Sequence, residues 1–191
     1  PVMEHHSIDI EDLGARIELT SFSAGEVTEI HAMLHIESRG ELFEVQINRI
    51  QEAEKALMQS KQASGTKAVF KRYFLSDATN QASLISNADD CTVSYIQQPP
   101  LDGSKVALWI YLQKGTDICN MNGATIVTHN GYKHIWTMGI TDTSADTSYM
   151  QTWKTLFTYI DTPKLINATL KDNCIRTWFF VRDVDTQYGG P

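Results

Sequence analysis

An internal repeat restricts the fold of this chain more than any other feature. Residues 69–81, VFKRYFLSDATNQ, and residues 175–187, IRTWFFVRDVDTQ, are both aromatic-rich runs that lead into an Asp turn. Placing Asp77 on Asp183, an offset of 183 − 77 = 106 residues, also pairs Val69 with Ile175, Phe74 with Phe180 and Gln81 with Gln187 without a gap. One supersecondary unit therefore occurs twice.

The same offset brings Phe43, Ile47 and Ile50 into register with Tyr149, Trp153 and Leu156. Phe43, Ile47, Ile50, Glu54 and Leu57 follow helical spacing with Glu54 as the one polar break, and Met150, Trp153, Phe157 and Ile160 follow it cleanly. An amphipathic helix is predicted ahead of the strand in each copy. Pro163 should end or kink the second helix, because it lacks an N–H and clashes with the preceding turn. Two strand-like runs precede each helix: ARIELTSF and TEIHAMLHI in the first copy, ATIVTH and YKHIWTMGIT in the second. The second pair is joined by HNGY, where Asn-Gly accepts the positive φ angles of a type I′ turn. After its strand the first copy continues with NQASLISN, a short polar helix, and with CTVSYIQQ and KVALWIYLQ, two further strands.

The predicted fold is α+β, two β-β-α-β-α-β-β units in tandem over residues 1–118 and 119–191, the second incomplete after its third strand. Each sheet should be mostly antiparallel with its helices on one face. KVALWIYL is apolar on both sides, so the other face is expected to be buried against another copy.

Sixteen Lys plus Arg against 23 Asp plus Glu give a net charge of −7, which repels a nucleic-acid backbone. The densest basic run, TKAVFKRYF, alternates as a strand does and is predicted to form a solvated strand face. No run approaches the ~18 apolar residues of a membrane span. Cys91, Cys119 and Cys174 form no CxxC pair, which fits reduced thiols in a cytoplasmic setting. His31 and His35 would lie ~13 Å apart on a strand, too far to share an ion. His129 and His134 flank the HNGY turn without a third ligand, so neither metal nor cofactor is expected. Cys174 at the head of a strand, and all four tryptophans on predicted strands or helices, are expected in the core.

SYMQTWKTLFTYID…CIRTWFFVRDVDTQ resembles the Rid (YjgF-type, L-PSP endoribonuclease-like) superfamily. Gln151, Thr152 and Leu156 match its helix, and Thr177, Phe180, Val181 and Asp183 match its next strand. IWTMGIT, with Gly139, is similar to the strand that ends just ahead of that helix. The likeness covers about residues 124–187, and the first copy joins it only through the repeat. It implies a chorismate-mutase-like fold, assembled as a trimer with small-metabolite pockets between neighbouring sheets. The tandem form resembles chorismatase-type proteins, which join a degenerate copy to an active one.

The activities implied are hydrolysis of enamine or imine intermediates, or chorismate cleavage. By family position Thr137, Gly139 and Thr141 would contact the ligand. An arginine on the strand after the second helix grips the substrate carboxylate in relatives, but the first copy offers Asp89 and Asp90 there and the second copy stops short of it. The chain is accordingly expected either to continue in a longer, active form or to serve as a non-catalytic binding or assembly module that takes its missing strands from a partner. Ribonuclease activity, attached to the family label, is disfavoured by the net charge. A tautomerase-like role for the Pro1 amine is disfavoured by the polar residues between it and the first predicted strand.

Overall fold

Alternating and doubly apolar strands build a six-stranded mixed sheet from the first part of the chain. The computed structural model describes residues 1–86 and 90–186, and the chain divides into two compact units, Pro1–Met138 and Gly139–Pro191. In chain order the first unit holds β1 (Val2–Ile10), β2 (Ala15–Ala24), β3 (Val27–Ile36), α1 (Phe43–Gln59), β4 (Lys67–Leu75), α2 (Ala78–Gln81), β5 (Thr92–Gln97) and β6 (Val106–Lys114). A hairpin and a third strand follow as β7 (Asp117–Met121), β8 (Ala124–His129) and β9 (Tyr132–Trp136). Elements β2 to β6 reproduce the predicted order of the first copy.

The large sheet runs β1-β2-β3-β6-β4-β5, antiparallel throughout except for the parallel pair β4–β5. Its main core lies under α1, where Phe43, Ile47, Ile50, Ala53 and Leu57 pack on Ile17, Ile30, Leu34, Leu108 and Ile110. Ala78 and Ala82 join the same cluster, so α2 covers the same face as α1.

The opposite face has a second, smaller core. Val69, Phe70 and Tyr111 of the large sheet are buried with Val127 of β8, and Trp109, Ile118, Trp136 and Met138 pack around them. A bulge between Ala68 and Phe70 inserts Val69, which lets both Val69 and Phe70 serve this face. Part of the face expected to be buried against another copy is thus covered within the same unit by the three-stranded sheet β7-β8-β9. Both of its turns are Asn-Gly with positive φ, at Asn122 and Gly123 and at Asn130 and Gly131.

Several expectations need correction. The polar segment ahead of the first predicted strand forms β1 over Val2–Ile10, because Ile8 and Ile10 reach the main core. The basic run does not form a solvated face: Lys71 and Arg72 are both buried.

In the second unit α3 (Ser148–Tyr159) forms as predicted, capped by Thr147, whose Oγ1 accepts from the Met150 N–H. It stops ahead of Pro163, which lies in the first turn of a 3-10 helix, Thr162–Ile166. A short helix α4 (Leu170–Asn173) follows. Residues 174–181, predicted as a strand, are neither strand nor helix, and Cys174 and Trp178 are exposed instead of forming a core. The first-copy counterpart, β4, is hydrogen-bonded on both sides by β6 and β5. No second-unit equivalent of either neighbour occurs among the described residues, and a strand without a ladder leaves its backbone groups to water. Asp89 and Gln187 lie outside the described residues.

Candidate functional site

Chemistry in the first unit collects on the sheet face away from α1, where the pleat aligns alternate residues of adjacent strands. One row across the sheet is His5, Thr20, His31, Tyr111, Phe70 and Thr92; the next is Ser7, Glu18, Met33, Trp109, Arg72 and Ser94. These rows meet the underside of β8 and β9 at Phe70, Tyr111 and Trp136.

Arg72 is the least expected member. The residue is 6% exposed, with its guanidinium Cζ 5.1 Å from the Trp109 ring centre and 5.8 Å from that of Phe70. Its Nε donates to Ser94 Oγ at 3.2 Å, across the parallel β4–β5 pair. Burial pulls its pKa down to about 10, so it keeps its charge at neutral pH.

His31 is stacked on Tyr111, ring centres 4.3 Å apart and planes 4° from parallel. Trp109 Nε1 is 3.1 Å from His31 Nδ1. Indole N–H can only donate, so Nδ1 must accept and the neutral ring carries its proton on Nε2. One edge of His31 stays exposed, yet its packed faces are desolvated; this lowers its pKa against the opposing pull of Glu29. Tyr111 donates to Glu29 Oε1 at 2.7 Å and accepts from Gln113 Nε2 at 2.6 Å, and Thr116 Oγ1 donates to Gln113 Oε1 at 3.0 Å. Burial and the bond to Glu29 raise the Tyr111 pKa, so the phenol stays protonated.

Trp136 completes the cluster from β9, its ring 5.6 Å from Phe70 and 5.4 Å from Tyr111. Its Nε1 is buried and has no hydrogen-bond partner among the described residues. A buried donor left unpaired is uncommon and costly.

The residues expected from family position fall elsewhere. Thr137 directly follows β9 and is half-buried, whereas Gly139 and Thr141 belong to the second unit and are exposed. Of the aspartates expected in place of the family arginine, Asp90 lies 3.9 Å from Lys71 Nζ, which also pairs with Glu54 Oε1 at 2.7 Å. That pair sits on the α1 side of the sheet and outweighs burial, raising the Lys71 pKa. Burial pushes the thiol of Cys91 beside it up to about 12, which keeps it protonated at neutral pH.

Two open hollows, of about 490 and 460 Å³, lie beside the β6–β7 and β8–β9 turns and between α1 and β4. Neither is lined by a residue of the aromatic cluster. No group of three candidate metal ligands occurs among the described residues, and no helix there is long and apolar enough to cross a membrane.

Sequence reasoning missed Arg72, Ser94 and His31 as one site. The available signal was KRYF: two adjacent cations on a strand point to opposite faces, so a sheet covered on both sides must bury both. Comparison with family models, with curated proteins and with solved structures returned no match to this chain.

Proposed function

We propose that this is a Rid-like protein that binds a small planar carboxylate between its two sheets, on the face that carries Arg72. The observation behind the reading is the buried Arg72 guanidinium among Trp109, Phe70 and Ser94. A guanidinium in an aromatic setting suits a conjugated acid, whose carboxylate takes the charge while its plane packs on the rings. Trp136 Nε1 adds a buried donor in need of an acceptor.

The family resemblance supports the same assignment with one shift of position. Relatives carry their arginine on the strand after the second helix; here the guanidinium comes from the neighbouring strand β4, and β5 supplies Ser94 opposite it. In this reading the chain is a tandem of two chorismate-mutase-like copies, with β8 and β9 of the second covering the first. Binding without turnover is favoured, because the His31 nitrogen able to accept a proton already accepts from Trp109.

Titration with benzoate, followed by tryptophan fluorescence, tests this. Saturable quenching is expected with benzoate and not with the neutral isostere benzamide. Arg72→Met should weaken binding by roughly 10- to 100-fold, the cost of a charged hydrogen bond, while near-UV circular dichroism shows that the fold is kept. No difference between benzoate and benzamide would refute the site. Turnover of 2-imino acids or chorismate by this chain would replace the binding reading with a deaminase or lyase.

A further inference from the structure

β1 ends the sheet order, and none of its nine residues is buried. Edge strands of this length usually carry Pro, Lys or a bulge that blocks pairing with another chain, and VMEHHSIDI contains no proline or lysine and pairs without a shift in register. Its backbone direction can be derived from the β2–β3 hairpin. Ala24 and Val27 flank a two-residue turn and so form a hydrogen-bonded pair. Stepping along the ladder, odd-numbered β2 residues address β1, where they meet even-numbered residues. Met3, His5, Ser7 and Asp9 therefore direct their N–H and C=O groups to the open edge.

We propose that β1 pairs antiparallel with β1 of a second copy about a two-fold axis at His5, joining two six-stranded sheets into one. Side-chain chemistry selects both the occupant and the register. With the axis at His5, Glu4 stands opposite His6 of the second copy and Val2 opposite Ile8, twice each by symmetry; all four lie on the α1 side of the sheet. On the other side Met3 meets Ser7 and His5 meets its own copy. Moving the axis to His6 places Glu4 against Ile8, and moving it to Glu4 sets Glu4 against Glu4, a like-charge pair that destabilises a ladder. Shifting by a single residue turns the two helical layers to opposite sides of the sheet. The strand is thus charge-complementary to itself in one register.

Sedimentation equilibrium of the 191-residue chain and its variants tests the proposal. The wild type is expected to be a dimer in reversible equilibrium with monomer. His6→Glu, which creates two Glu–Glu oppositions, should raise the dissociation constant on the order of tenfold, and Glu4→Lys combined with His6→Glu should recover most of it. Ser7→Pro removes an outward N–H without touching the β1–β2 ladder, and should abolish the dimer while far-UV circular dichroism is kept. A monomer at all accessible concentrations overturns the proposal. So does a dimer or trimer whose association ignores His6→Glu and the double variant; should Ser7→Pro fail to fold, the charge pair decides alone.

Discussion

His31 shows how one side chain takes its ionisation state from its neighbours. Stacking on Tyr111 removes water from its faces, and the Trp109 N–H occupies Nδ1, so both favour the neutral ring. The unfolded chain, with an imidazole pKa near 6.5, gains a proton below that pH before the folded chain does. Its contribution to stability is therefore present above about pH 6.5 and is lost as the pH falls through the lower folded pKa. Thermal melts from pH 7.5 to 5 should show a steeper fall for wild type than for His31→Phe, which keeps a stacked ring and cannot titrate. Parallel curves would mean that His31 is not held neutral. Little of this was legible in the sequence: His31 and Trp109 are 78 residues apart, and their meeting depends on the β3–β6 register, which no local pattern encodes.

At the scale of elements, α1 is tied to β4 through Glu54 and Lys71. Glu54 looked like a flaw in an apolar stripe and Lys71 like a surface cation; together they form an ion pair of 2.7 Å with side chains 17% and 7% exposed. Each was visible in the sequence, but pairing them required knowing that the helix lies over that strand. Removing one partner leaves a charge uncompensated, and breaking such a buried pair costs about 3 to 5 kcal/mol. Glu54→Ala should approach the lower figure, since Asp90 stands 3.9 Å from the same ammonium. Glu54→Leu with Lys71→Met should recover most of the loss, because a well-packed apolar pair is often neutral or better. Urea unfolding of the three proteins would measure both effects, and a Glu54→Ala loss below about 1 kcal/mol, the range of an exposed pair, would count against burial of the charge. Helices and strands with clear periodicity, such as α1, α3 and β6, could be anticipated from sequence alone. β7 was missed although its Asn122-Gly123 turn carries the same signal as Asn130-Gly131, and β1 was missed because its polar face dominates its composition.

For the whole molecule, the repeat and the observed division assign residues 119–138 differently. The repeat gives β8 and β9 to the second copy, yet their side chains complete the second core of the first unit. Val69, Phe70 and Tyr111 are each at most 3% exposed there, and full burial of a large apolar side chain is worth about 1.5 to 3 kcal/mol as an upper range. Every residue of both core clusters lies within Pro1–Met138. A fragment ending at Met138 should therefore fold alone and unfold cooperatively, whereas one ending at residue 118 should lose several kcal/mol and bind a hydrophobic dye through the uncovered aromatic face. Calorimetry and dye fluorescence on the two fragments distinguish the boundaries. Equal stability would show that the β7–β9 sheet is not part of the first unit's core, and would also remove the lid from the Arg72 site. If only the longer fragment is stable, the strands that the repeat assigns to the second copy act as a structural cover for the first. The Arg72 face would then be enclosed before any second chain arrives.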